Sequence, residues 1–289
     1  MADKIPTFKE LAGKYMQRAD TVRLAKEKLM VDWSKVFVLF PRYCHVLLIA
    51  PHHASPDYTD YSIKGADDFF AFANPIATVK YLRDTQATRA NVEKELRNFN
   101  PRLVVHYDHG STNAVYGESA INTPQAVIDT ANADKIKLRV MSTISCLSAS
   151  GLGPTAIGKG CSSYVGYNDL HWIVTTTHHA FWNCASMVHK KLVFGYSVKA
   201  GYDASILTYN TNIAYYLSIG DTFTALHLQM DRDRLTLLGS ETATTCPLRL
   251  EIVRPYFELV RQRLIPELVW PPKVLELERK YLELSTQRF

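Results

Sequence analysis

No window of this 289-residue chain approaches the run of about 18 apolar residues that a membrane-spanning helix requires. Its apolar stretches at residues 36–40 and 46–50 are parted by Pro41-Arg42-Tyr43. Blocks of like charge are missing too. Lys and Arg number 33 against 28 Asp and Glu, a net charge of +5, and the two signs are interspersed. The chain therefore lacks the basic stripe that grips a phosphate backbone, and neither nucleic acid nor a membrane is expected as a partner. Cysteine is scarce. Cys44, Cys146, Cys161, Cys184 and Cys246 are odd in number, widely spread and never spaced as CxxC. Neither a disulfide framework nor a cysteine zinc site is expected from them. The opening Met1-Ala2-Asp3-Lys4-Ile5-Pro6 lacks the basic-then-apolar order of a secretory signal, so a soluble, cytoplasmic protein is the expectation. Finally, the segment after the first strand, Pro51-His52-His53-Ala54-Ser55-Pro56, has no glycine. A Rossmann-like or flavodoxin-like ligand domain would want a glycine-rich loop there.

Hydrophobic residues make up 47% of the chain and charged residues 21%, enough apolar material for a substantial core. Short β-rich runs alternate with helical patterns. Strands are expected at 44–50, at 78–82, from Leu103 into His109-Gly110, from Arg139 into Cys146, and at 161–167. Helices are expected at 66–73, from a Thr88 cap to about residue 97, from Thr123-Pro124 onward, at 154–159, and at 180–192 and 197–217 with Gly195 and Gly201 as breaks. Residues 226–230 and 235–238 read as a hairpin around Asp231-Arg232-Asp233. Amphipathic helices are expected at 7–31 and within 254–284. Strands alternating with helices at this rhythm argue for a mainly parallel sheet with helices on both faces. Ligands of such sheets bind at the carboxyl ends of the strands.

Two of those strand ends carry reactive groups. One run, Leu103-Val104-Val105-His106-Tyr107-Asp108-His109-Gly110, ends in His-Gly, and the other, Val140-Met141-Ser142-Thr143-Ile144-Ser145-Cys146, ends in a thiol. A thiol needs a base to become a nucleophile, and an imidazole can take that proton and later return it to a leaving amine. Cys146 is thus the candidate nucleophile and His109 the candidate proton carrier. The N–H groups of Gly110 and Cys146 are the candidate oxyanion donors. The small residues Ser148-Ala149-Ser150-Gly151 would leave the thiol accessible. Cys44, Cys161, Cys184 and Cys246 read as buried structural residues. His52-His53 and His178-His179 have no carboxylate or cysteine at ligand spacing, and as strand residues would face opposite ways, so no metal is expected. Asp57, Asp60, Asp67 and Asp68 either line a pocket beside the first strand or are solvated surface.

The order His-Gly, then Cys, then Leu152-Gly153-Pro154-Thr155-Ala156-Ile157-Gly158-Lys159-Gly160 leading into Tyr164-Val165-Gly166-Tyr167, resembles the caspase-like cysteine peptidases. Ala87-Thr88-Arg89-Ala90-Asn91-Val92 and the late Leu235-Thr236-Leu237-Leu238-Gly239 are most like the gingipain-like and CHAT-domain branch. The likeness spans roughly residues 44–240. It implies a caspase-like three-layer α/β/α sandwich with a mainly parallel central sheet, at 44–250, plus N- and C-terminal helical extensions at 1–43 and 251–289. It implies a cysteine endopeptidase with a Cys146–His109 dyad, a protein or peptide substrate, a regulatory partner or activator, and no cofactor. By the same resemblance Asp169 and Trp172 fall where relatives build the pocket for the residue before the cut, and Asp108, where many relatives have a small residue, either orients His109 or faces away. Trp182 is read as core or as a further wall of that pocket. Caspases carry Gln-Ala before the cysteine, and clostripain-like enzymes an acid two before it. This chain has Ile144-Ser145, so neither device for choosing an acidic or a basic side chain is present. The rival expectation is a catalytically silent caspase-like scaffold.

Overall fold

The computed structural model describes residues 44–52, 58–118 and 124–246. The expected helices at 7–31 and 254–284, the extensions 1–43 and 251–289, and Asp57 lie outside the described residues.

A six-stranded sheet forms the centre. In chain order its strands are β1 (His45–Ala50), β2 (Thr78–Arg83) and β3 (Leu103–Tyr107), then β7 (Val140–Ile144), β8 (Ser163–Tyr167) and β9 (Leu235–Gly239). The spatial order is β2-β1-β3-β7-β8-β9, parallel from β2 through β8, with β9 antiparallel to β8. Every residue of β3, β7 and β8 is buried. These strands read as short, mainly apolar runs because both of their faces are covered. On one face Val46, Leu48, Val105, Tyr107 and Tyr167 pack with residues of α1 (Tyr58–Ala73), α4 (His178–Ala185), α5 (Met187–Val193) and α6 (Val198–Ser218). On the other, Leu47, Ile49, Val104 and Met141 pack with α2 (Arg89–Asn98) and α3 (Leu152–Gly158). The molecule is α/β with a mainly parallel central sheet between helices.

Several helices follow directly from local chemistry. The Thr88 side chain accepts a hydrogen bond from the Asn91 N–H and starts α2, and Ser197 does the same for α6 through Ala200. Helix α1 begins well before the expected residue 66, because Ile63, Ala66, Phe69 and Ala73 form one buried stripe. Where one helix was expected across 180–192, Ser186 joins α4 to α5. Gly195 does break the chain, at a left-handed φ of 86°, whereas Gly201 sits inside α6.

Three expectations are overturned. Residues from Pro124 form a strand, β6 (Pro124–Asp129), not a helix. With β4 (Gly110–Ser111) and β5 (Ala114–Glu118) it makes a second, antiparallel sheet of three strands. Pro124 is as tolerable at the start of a strand as in a first helical turn, and Val127 and Ile128, both buried, favour the pleated surface. The supposed hairpin at 226–238 is instead a helix, α7 (Thr222–Arg234), running into β9. Ala225, Leu228 and Asp231 form its buried face, so Asp231 is a core residue rather than a turn former. Cys44 and Cys246 are joined by a disulfide across 202 residues of sequence, which the spacing of the cysteines did not suggest. Among the described residues no helix is long and apolar enough to cross a membrane.

Candidate functional site

Strands β3 and β7 are parallel neighbours whose last paired residues are Tyr107 and Ile144. The Asp108 N–H still donates to the Ile144 carbonyl, at 3.3 Å. His109 and Cys146 each lie two residues beyond that last pair, in the loops that leave the carboxyl edge of the sheet. Gly110 belongs to the same place. A Cβ there would stand 2.7 Å from the Cys146 carbonyl oxygen and 2.8 Å from the Ser145 Cβ and Oγ, closer than any side chain tolerates. Glycine lets the His109 loop lie flush against the Cys146 loop.

Cys146 sits on a tight turn. Leu147, immediately after it, has a φ of 59°, a left-handed conformation that costs a non-glycine residue of order 1–3 kcal/mol. The turn is stitched to the end of β8: the Leu147 N–H donates to the Asp169 carbonyl at 2.9 Å, and the Ala149 N–H to the Tyr167 carbonyl at 3.0 Å. The cysteine is partly exposed. Its Sγ accepts the His171 N–H at 3.4 Å and donates to the His171 carbonyl at 3.8 Å. Burial pushes the thiol pKa up, against the His171 N–H that favours the thiolate, and the Asp169 carboxylate adds to the rise. At neutral pH the resting sulfur is a thiol, so attack requires a base.

Asp108 is fully buried behind the edge, and His109 is partly exposed. Asp169 forms an ion pair with Arg234 at 3.0 Å, at the end of α7. Trp172 donates its main-chain N–H to Asp231 Oδ1 at 2.8 Å. Its ring, 38% exposed, meets the His227 ring edge-on at 5.4 Å, and His227 packs in turn on Phe223 at 4.3 Å. The structure thus gathers Cys146, His109, Gly110, Asp108, Asp169 and Trp172 at one edge of the sheet. The other acids lie towards β1 and β2. Asp60 bonds His52 Nε2 at 2.6 Å, and Asp67 accepts from Tyr81 and Arg83. Trp182 is core: it is 3% exposed and packs on Tyr107.

One buried pair escaped the sequence reading. His171 Nε2 lies 3.3 Å from Asp231 Oδ2, both side chains fully buried. Burial drives the His171 pKa down to about 3 and the Asp231 carboxyl well above the carboxylate range. Both shifts favour the uncharged forms, with the proton on the aspartate. The pair anchors the same residue whose main chain holds the Cys146 sulfur. The signal for Asp231 was its place on the Ala225–Leu228 face of a helical repeat, masked by flanking turn-forming residues.

Among the described residues no group of three or more His, Cys, Asp or Glu could hold a metal ion. His178 and His179 open a helix rather than lying on a strand, with ring centroids 3.9 Å apart. Compared with protein-family models and with curated proteins, the chain finds no match.

Proposed function

We propose that this chain is a cysteine endopeptidase of the caspase-like type, with Cys146 as nucleophile and His109 as proton carrier. The observation that carries this reading is the register of β3 against β7, together with the close approach of Gly110 to Cys146 and Ser145, which puts the His109 and Cys146 loops against each other at one edge of the sheet. A mainly parallel sheet with helices on both faces agrees with the caspase-like sandwich that the resemblance implies.

The chemistry runs as acyl transfer. His109 removes the Cys146 proton, and the thiolate attacks the scissile carbonyl to form a tetrahedral oxyanion. The N–H groups of Gly110 and Cys146 receive that charge. The intermediate collapses, the C–N bond breaks, and His109 gives its proton to the departing amine. Water, deprotonated by His109, then releases the acyl group and restores the thiol. Because burial keeps the sulfur protonated at rest, catalysis in this scheme depends on His109 rather than on a preformed thiolate.

The pocket for the residue before the cut is assigned to the wall made by Trp172, His227 and Phe223. Asp169 is committed to Arg234, and Ile144 occupies the place from which an acid would hold a basic side chain. An apolar side chain suits that wall. Regulation by a partner or activator belongs to the same reading. The second reading, a silent scaffold, draws on the docking of the Cys146 sulfur against the His171 main chain.

Iodoacetamide labelling, combined with cleavage of a peptide library, decides between them. Expected are fast alkylation at Cys146 relative to Cys161 and Cys184, its loss in His109→Ala, and cleavage abolished in Cys146→Ala. Uniformly slow alkylation and no cleavage would establish the scaffold.

A further inference from the structure

Two histidines stand three residues apart at the end of β3, and the chemistry above uses only His109. His106 is fully buried and lies opposite Thr143 in the β3–β7 register. Its Nε2 is 2.7 Å from the Tyr116 carbonyl oxygen and its Nδ1 is 3.0 Å from Thr143 Oγ1. Thr143 Oγ1 lies 2.8 Å from Ser145 Oγ. A carbonyl can only accept, so Nε2 carries the hydrogen. In the neutral ring Nδ1 then accepts from the Thr143 hydroxyl, whose oxygen accepts from the Ser145 hydroxyl. The polarity of the whole chain is set at its Tyr116 end.

Both ends of this chain reach the dyad. The Tyr116 N–H donates to the carbonyl of His109 itself, at 3.1 Å. Ser145 directly precedes Cys146, and its Cβ and Oγ lie against Gly110. The main-chain ladder between the two strands stops at Asp108 and Ile144. Beyond that point, the path Tyr116–His106–Thr143–Ser145 links the His109 loop to the Cys146 loop through β5.

We propose that His106 is a positioning residue. Through the hydrogen-bonded chain from Tyr116 to Ser145 it fixes His109 and Gly110 relative to Cys146 where strand pairing has ended. This rests on the peptidase reading and specifies how that dyad is held. Small displacements of reacting groups are expensive in rate, roughly 100-fold for about 1 Å.

The test uses Thr143→Val, which keeps the shape and deletes the hydroxyl, Thr143→Ser, which restores it, and Ser145→Ala. His106→Asn serves as a further variant, and circular dichroism and a thermal midpoint check folding in each. The readouts are the pH profile of Cys146 alkylation and, on a cleaved peptide, kcat and KM separately. Expected for folded Thr143→Val and Ser145→Ala is a fall in kcat of roughly 10-fold to 100-fold with KM within about twofold. The imidazole limb of the alkylation profile should be lost as in His109→Ala, and Thr143→Ser should recover both. If Thr143→Val and Ser145→Ala keep the wild-type profile and kcat while His109→Ala loses them, the positioning role is wrong and the dyad stands. If His109→Ala itself changes nothing, the dyad reading fails, and this proposal with it.

Discussion

At the scale of single residues, burial sets the ionisation of the three free cysteines among the described residues. Cys146, Cys161 and Cys184 are all raised by desolvation, Cys161 to about 11. A thiol whose folded pKa exceeds its unfolded value contributes stability that is complete below the unfolded value and is lost as pH climbs through the folded one. The thermal midpoint should therefore decline as pH rises through the window from the ordinary thiol value of 9.0 to about 11. Cys161→Ala should remove part of that slope, and an unchanged slope would refute the assignment. Asp231 offers a sharper case. Its carboxyl is raised by burial, so its contribution is present at acid pH and lost as pH rises through the folded pKa. Asn mimics the protonated acid: it can still accept the Trp172 N–H and donate to His171 Nε2. In urea unfolding Asp231→Asn should remain close to wild type near neutral pH, whereas Asp231→Ala should cost about 1–3 kcal/mol by leaving the buried Trp172 N–H without its acceptor.

Elements meet here through a few close approaches. Helix α1 crosses α4 at Gly65, where a Cβ would fall 2.7 Å from the Trp182 indole. Trp182 also stacks on His171 at 5.9 Å, so this crossing lies beneath the residue that holds the Cys146 sulfur. Gly65→Ala should cost about 1–3 kcal/mol in denaturant unfolding by overpacking. It should also change the Cys146 alkylation rate, because the displaced indole presses on His171. The hairpin β4–β5 is the second decisive element. It carries Gly110 and Tyr116, packs its Val115 into the core beside Val104, and presents Tyr116 to both histidines of the β3 run.

For the whole molecule the Cys44–Cys246 bond matters most. It joins the residue before β1 to a position beyond β9, with Cα atoms 4.9 Å apart and both cysteines buried. Closing so long a loop restricts the unfolded chain strongly. Reduction, or Cys246→Ser, should lower stability by about 2–5 kcal/mol, and the Cys246→Ser protein should no longer respond to reductant. Such bonds are rare in reducing cytosol, so the oxidation state of this pair in freshly trapped protein bears directly on the cytoplasmic expectation.

Strands β1, β3, β7 and β8 were legible because burial on both faces leaves short runs of mostly apolar and β-branched residues bounded by turn-formers. Caps at Thr88 and Ser197 were legible because they act within one turn of chain. The dyad candidates were visible as reactive residues ending two such runs. What lay beyond reach was non-local. Nothing in Pro124 or Val127 distinguishes a strand from a helix until β5 supplies a partner, and Asp231 resembles a turn former until the core closes around it. Cys44 and Cys246 give no hint of each other across 202 residues. The amino-acid order by itself determined that the central segments of β1, β2, β3, β7 and β8 are strands and what chemistry stands at their ends, since local propensity and two-sided burial act over a few residues. Only the tertiary structure decided that β3 and β7 are neighbours in a register that ends both strands level, two residues short of His109 and Cys146, because parallel pairing joins segments that share no turn and is settled by the packing of the entire sheet.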